Sequence, residues 1–310
     1  MRLMRKWILI LPLLLLGVSP GQEKFSVDVK LVNVAFSVRD SSGHLVDNLT
    51  KDDLNVIEDA VPQKIAFFAR SVDVPLTLGI VVDASGSQDH FSKEHEHDLK
   101  VFLKEVLGPK DRAFLIGFGT HIRLVSDFTQ SGDDLIERWK EYQHHTDRFT
   151  EIGPPELRVA GTAFYDSIYY AVTDKLAKEP GRKALLVFSD GEDNSSAYDM
   201  MSTIEAAQDA NVLVYSIRYT DVEHGRMSAR NKYGIRVMGR IAQETGGAHI
   251  DAKSTDPHAY FRQIADELRS SYELGYYSSN PNRDNTFRKI VIRPKTPTLA
   301  VRSKTGYFAR

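Results

Sequence analysis

The stretch Leu76-Thr77-Leu78-Gly79-Ile80-Val81-Val82-Asp83-Ala84-Ser85-Gly86-Ser87 decides how the rest of the chain is read. Residues 78–82 form a short apolar run rich in β-branched side chains, and Pro75 stands just before it. A strand covered on both faces reads this way, which suits the centre of a parallel sheet. Polar groups follow at once: Asp83, Ser85 and Ser87 recur at every second residue, and Gly86 lets the backbone turn sharply. One carboxylate and two hydroxyls at the carboxyl end of a buried strand make a hard-oxygen donor set, suited to Mg²⁺ or Ca²⁺. In open α/β sheets, ligands bind at that end of the strands, where the strand order reverses.

Downstream of this stretch, helix and strand patterns alternate. Residues 91–107 read as a helix with Leu99, Phe102, Leu103 and Val106 on one face. Strands follow at 113–118 and 122–125, and Leu135, Ile136 and Trp139 mark another helix. The polar segment 144–160, with Gly153-Pro154-Pro155, reads as a long surface loop. Residues 162–176 are helical, with Phe164, Ile168, Ala171 and Val172 inward, and 184–188 is a further central strand ending in Ser189-Asp190-Gly191. A helix at 200–210, a strand at 212–217, a polar loop at 220–232 and a helix at 235–245 come next. A short strand at 248–251 and a last helix, 257–268, capped by Asp256-Pro257, complete the series. This alternation predicts a doubly wound, mostly parallel sheet of the Rossmann-like α/β class.

Both flanks read as β structure. Residues 25–38 alternate apolar and polar, 40–43 is a turn, and 54–58 and 65–69 are strands separated by a Glu58-Asp59-Ala60-Val61-Pro62 turn. After 271 the pattern returns to β at 272–277, 289–293 and 299–302. Two β flanks around an α/β middle predict one β-sandwich assembled from residues 22–73 and 272–310, with 74–271 inserted.

Composition narrows the chemistry. The 310 residues are 42% hydrophobic with a formal net charge of −2, so no overall pull toward nucleic acid is expected. The absence of cysteine excludes disulfides, thiolate catalysis and cysteine-held zinc. Residues 1–21 read as a secretory signal: Arg2, Arg5 and Lys6, an apolar run from Trp7, then small residues, with cleavage after Gly21. The apolar run from Trp7 to Val18 reaches only about 18 Å as a helix, short of a hydrocarbon core of about 30 Å. The expectation is an exported chain, periplasmic, surface-borne or secreted, with no membrane span after cleavage.

Two further positions suit the Asp83 turn. Thr162, in Ala160-Gly161-Thr162-Ala163, opens a helix where a hydroxyl can face the same cleft. Asp190 ends its apolar strand in the same topological position as Asp83. Three hydroxyls and two carboxylates with water would satisfy a divalent cation and leave room for an outside ligand. If the hydroxyls make the direct contacts, the ion keeps much of its charge and seeks an anionic oxygen from a partner.

The pattern resembles the von Willebrand factor type A domain and its metal-ion-dependent adhesion site. The family's Asp-x-Ser-x-Ser falls on Asp83, Ser85 and Ser87, its threonine on Thr162 and its later aspartate on Asp190. The resemblance covers roughly residues 74–271. It implies an intact site for Mg²⁺, with Ca²⁺ or Mn²⁺ as substitutes, and a protein partner presenting an Asp or Glu carboxylate. It also implies that ligand binding shifts the last helix and so loads the sandwich. The flanks, from Leu45 to Ile65 and from Tyr272-x-Leu274-Gly275-Tyr276 to Gly306-Tyr307, are similar to exported von Willebrand factor A-related proteins found mainly in acidobacteria.

The functional expectation is therefore a non-enzymatic, exported binding or adhesion module. A metal-assisted hydrolase and a structural envelope subunit are the competing readings. Other features read as structural. Glu192, Asp193 and Asn194 suit a solvated turn rather than a second cation site. His90, His95, His97, His144 and His145 read as surface histidines. Lys304-Thr305-Gly306 has no Ser-x-x-Lys companion to make a penicillin-binding motif. Tyr276, Tyr277, Tyr307 and Phe308 read as sandwich core and edge.

Overall fold

The computed structural model describes residues 31–72, 74–153, 160–220, 227–253 and 256–310. The expected signal segment and the start of the first strand lie outside these residues. The chain opens in β structure: β1 (Leu31–Arg39), β2 (Leu54–Glu58), β3 (Val61–Gln63) and β4 (Ile65–Val72). An α/β series follows: β5 (Leu76–Asp83), α1 (Ser92–Val106), β6 (Arg112–Phe118), β7 (Ile122–Thr129), α2 (Gly132–His144) and β8 (Thr150–Glu151). It continues through α3 (Phe164–Tyr170), β9 (Arg182–Ser189), α4 (Met200–Asp209), β10 (Val212–Arg218), α5 (Ala229–Thr245), β11 (His249–Asp251) and α6 (Pro257–Arg269). The end is β again: β12 (Ser270–Tyr277), β13 (Phe287–Pro294), β14 (Ala300–Ser303) and β15 (Gly306–Phe308).

The α/β series makes one seven-stranded sheet in the order β11-β10-β9-β5-β6-β7-β8. From β11 to β6 the strands run parallel, and β7 and β8 add an antiparallel edge. Every residue of β5 is buried, as its uninterrupted apolar run requires. One face of the sheet packs Leu99, Phe102, Trp139, Phe261 and Leu268 against Leu78, Ile80 and Leu186. The other face packs Phe164, Ile168, Ile204, Met238 and Ile241 against Val81, Ile116 and Val187. Two apolar layers, one on each face, are the physical content of a doubly wound sheet.

The two chain ends form two four-stranded sheets, β14-β1-β12-β4 and β15-β13-β2-β3, so each sheet takes strands from both flanks. They close on a core of Val34, Phe36, Val56, Tyr272, Leu274, Tyr276 and Ile290. The architecture is thus a von Willebrand factor A-like α/β sheet joined to a β-sandwich. Among the described residues no helix is long and apolar enough to cross a membrane.

Four local expectations are corrected. The turn between the first strands is only Asp59-Ala60, both at positive φ, and Val61–Gln63 pairs with β2 as an edge strand where Pro62 is tolerated. The loop at 144–160 contains β8, which pairs with β7. Helix α5 begins at Ala229 rather than at 235, because the Ser228 hydroxyl accepts the Asn231 N–H at 3.0 Å and starts the helix early. His95 is not a surface residue: it is buried on α1, with its ring edge-on to Tyr219 at 4.3 Å.

That burial has a measurable consequence. Desolvation, aided by the charge of His90, depresses His95 to about 3. The folded chain therefore keeps His95 neutral, while the unfolded chain binds a proton near pH 6.5. Stability from this group is whole above about pH 6.5 and is lost as pH falls toward the folded value. Between pH 6.5 and 5 the loss is about 2 kcal/mol. The stability difference between the natural chain and His95→Phe should shift by about that amount in favour of the variant. Urea unfolding at pH 7 and pH 5 measures it, and a difference independent of pH would contradict the burial.

Candidate metal centre

The site begins with strand register. β5 pairs in parallel with β9, Val82 opposite Phe188, so the residues that end the two strands stand side by side. Chain direction diverges here: β5 leads through α1 to β6 on one side, and β9 leads through α4 to β10 on the other. This is the crevice where open α/β sheets hold ligands.

Asp83 closes β5 and is buried. Its Oδ1 accepts the Ser85 N–H at 2.9 Å, which folds the turn back on the strand. Its Oδ2 accepts the Ser189 hydroxyl at 2.6 Å, which ties the two strand ends together. The Ser85 and Ser87 hydroxyls lie 3.2 Å apart, and Ser87 donates to Asp190 Oδ2 at 3.0 Å. Gln88 donates to that same oxygen at 2.8 Å, and the Glu192 N–H donates to Asp190 Oδ1 at 2.9 Å. Asp83, Ser85, Ser87 and Asp190 are therefore members of one hydrogen-bonded cluster.

Thr162 reaches the cluster's border through its backbone. The N–H of Ala163 donates to Gly119 O at 2.9 Å. Gly119 in turn lies so near the turn that a β-carbon there would stand 3.5 Å from Ser85 Cα. From the other side, Thr162 O accepts the N–H groups of Asn194 and Ser195 at 3.1 and 3.2 Å. All the hydrogen bonds described for Thr162 are made by its backbone, including one from its N–H to Asn194 Oδ1.

The segment 192–194 is not the solvated turn expected from its composition. Asp193 Oδ1 accepts the Phe164 N–H at 2.9 Å and the Tyr165 N–H at 3.3 Å, so it caps α3. Glu192 stands 3.4 Å from Arg230. Together Asp193 and Asn194 fix the helix start that carries Thr162. Two contributors, Gln88 and Ser189, have no role in the sequence reading, and Asp193 and Asn194 enter it only as part of a turn.

Electrostatics distinguish this cluster from ordinary turn chemistry. Asp83 and Asp190 are 1% and 5% exposed, and among the described residues neither has an ion-pair partner. Burial, reinforced by the Asp190 charge, pushes Asp83 up to about 7. Two buried carboxylates beside hydroxyls form an all-oxygen donor set, which fits Mg²⁺ or Ca²⁺ and suits zinc poorly. Among the described residues no group of three or more His, Cys, Asp or Glu gathers to hold a metal ion.

Helix α5 sets the position of Asp190. A β-carbon on Gly234 would meet the Asp190 carbonyl oxygen at 2.1 Å. Gly234→Ala should therefore push the β9 end out of register with β5. The expected effect is a stability loss of about 1–3 kcal/mol. If the cluster holds a divalent cation, its affinity should also fall at least tenfold with every donor side chain intact. Calorimetry with Mg²⁺ on the folded variant tests this, and unchanged affinity would show that α5 does not set the site.

No family model matches the chain, and no curated protein matches it. Among solved structures, an aerotolerance-related membrane protein from Bacteroides fragilis, with multiple mutations to serines, is 16% identical with a TM-score of 0.46, over 62% of this chain and 98% of its own. The conserved hypothetical protein BatB from Bacteroides thetaiotaomicron is 15% identical with a TM-score of 0.44, over 62% and 97%. The pilus adhesin SpaC from Lactobacillus rhamnosus GG, in its open conformation, is 11% identical with a TM-score of 0.42, over 86% of this chain and 48% of that one.

Proposed function

We propose that the chain is an exported, non-enzymatic binding module. Asp83, Ser85, Ser87, Thr162 and Asp190 hold a divalent cation, Mg²⁺ or Ca²⁺, and a partner protein supplies an Asp or Glu carboxylate to it. The supporting observation is the pair of buried carboxylates on adjacent strand ends, linked through Ser85 and Ser87 and without a cationic partner among the described residues. Such a pair is stable when a cation neutralises it. The bound ion would supply an open position for an anionic oxygen, and Ser87, exposed at the rim, leaves that position reachable.

Calorimetry of the mature chain with Mg²⁺, Ca²⁺ and Mn²⁺ tests the reading. One saturable site is expected, with Kd of about 0.1–1 mM, as in extracellular oxygen-ligand modules. Asp190→Ala should remove it, and a surface displaying glutamate should retain the protein in Mg²⁺ and release it in chelator. Absence of heat with all three ions would overturn the proposal.

A further inference from the structure

The C-terminal β segment is strongly basic in a chain that is acidic overall. Residues 271–310 carry eight Lys or Arg against two acidic residues. Several of these cations converge on a cleft of about 210 Å³ where the start of β1, the β12–β13 loop and the C-terminal strand meet the turn after α4. Arg283, Arg288, Lys304 and Arg310 line it, and Asp209 is the acidic residue in its wall. Arg310 engages that acid at 2.7 Å.

Arg288 is the informative member. It is 2% exposed, and its guanidinium donates mainly to neutral acceptors: Ser278 Oγ at 2.9 Å, Asn280 O at 2.6 Å and Asn282 O. Glu58 lies 3.5 Å away, but its carboxylate already accepts the Tyr276 and Tyr307 hydroxyls at 2.7 and 3.0 Å. Among the described residues the Arg288 Nε–H has no acceptor. A buried guanidinium with a donor unfilled among the described residues and a shared counter-charge suits an anionic oxygen. Beside it, Lys304 is buried and donates to Asn211 Oδ1 at 2.7 Å.

We infer that this cleft binds a single acidic sugar, a ring-sized polyol carrying one carboxylate or phosphate. The Arg288 Nε–H and the Arg283 charge suit the anionic group. The amides of Asn33, Asn211 and Asn282 and the Tyr307 phenol suit hydroxyls. The cleft, about 210 Å³, has room for one sugar ring. The cleft opens on the sandwich rather than at the ends of β5 and β9, so its ligand is independent of the proposed cation.

The test is titration of the mature chain with glucuronate, glucose 6-phosphate, glucose and inorganic phosphate, read by calorimetry and by amide NMR shifts. One of the two acidic sugars should saturate at about 10 mM, where a millimolar ligand fills its site. Glucose should bind at least tenfold more weakly. Arg283→Glu, at an exposed position, should weaken binding at least tenfold while the melting temperature holds. Arg288→Lys, which keeps the charge and loses the Nε–H donor, should do the same if it folds. Chelator and Asp83→Ala should leave binding unchanged. No saturation by either acidic sugar overturns the inference, as does binding that Arg283→Glu leaves intact or that chelator abolishes. Phosphate binding as tightly as the sugars would reduce the cleft to a receptor for an adventitious ion only, and would equally overturn it.

Discussion

At pH 8 in chelator, Asp83→Asn should melt about 5–10 °C higher than the natural chain and gain nothing from Mg²⁺, at roughly 2–4 °C per kcal/mol for a chain of this size. The sign follows from where the proton sits. Asp83 is held near 7 in the folded chain and near 3.8 when unfolded. The folded state thus carries no penalty below about pH 4, an increasing one as pH climbs to about 7, and the full penalty above that. Three units amount to about 4 kcal/mol, since each is worth ~1.4 kcal/mol. Asparagine removes the charge and disturbs the bond from Ser189, which returns about 1–2 kcal/mol. The net gain at pH 8 is then about 2–3 kcal/mol, and it should vanish at pH 4. With Mg²⁺ present the order reverses: the natural chain is stabilised and the variant is not. A variant that melts lower than the natural chain at pH 8 in chelator would mean that the carboxylate pair is already neutralised from within. Equal stabilisation of both by Mg²⁺ would locate the ion elsewhere.

The ease of reading this site from sequence has a physical cause. β5 and β9 are buried on both faces, so their sequences are forced to be continuous apolar runs, and the polar residues that end them stand out. Asp83 and Asp190 were visible for that reason. Ser189 and Gln88 were hidden because a single polar residue beside an aspartate looks like any turn until register is known. The sandwich's membership was legible from its alternation at both ends, yet its register was not. Nothing in the sequence says that β12 lies between β1 and β4, because that depends on which strands meet across more than 200 residues. The early start of α5 and the burial of His95 were missed for opposite reasons. A polar first turn masked a capped helix at Ser228, and a polar side chain masked an inward position on α1. The cleft around Arg288 was not legible at all, since its walls come from four separate segments.

Glu267→Ala should lower stability by about 3–5 kcal/mol, the range for removing one member of a buried charge group. Glu267 sits in the last turn of α6, 3% exposed, where it accepts Arg39 Nε at 2.8 Å and Arg302 Nη1 at 2.7 and 2.8 Å. The Tyr215 hydroxyl adds a bond at 3.2 Å. Arg39 belongs to β1, Arg302 to β14 and Tyr215 to β10, so one carboxylate joins the last helix to both the sandwich and the α/β sheet. The same helix end is held twice more: Arg182 donates to Leu268 O at 2.6 Å, and Arg269 meets Asp111 at 2.6 Å. Arg269 passes into Ser270, the first residue of β12, with no linker between. A shift of α6 on ligand binding must therefore break the Glu267 group or drag β12 between its neighbours. Either is expensive, so α6 should stay protected from hydrogen exchange in the natural chain when Mg²⁺ and an acidic peptide are added. In Glu267→Ala the same addition should expose α6 and β12 together. Protection lost in the natural chain would mean that ligand does move the helix. A stability loss below about 1 kcal/mol in the variant would mean that the carboxylate is not the joint.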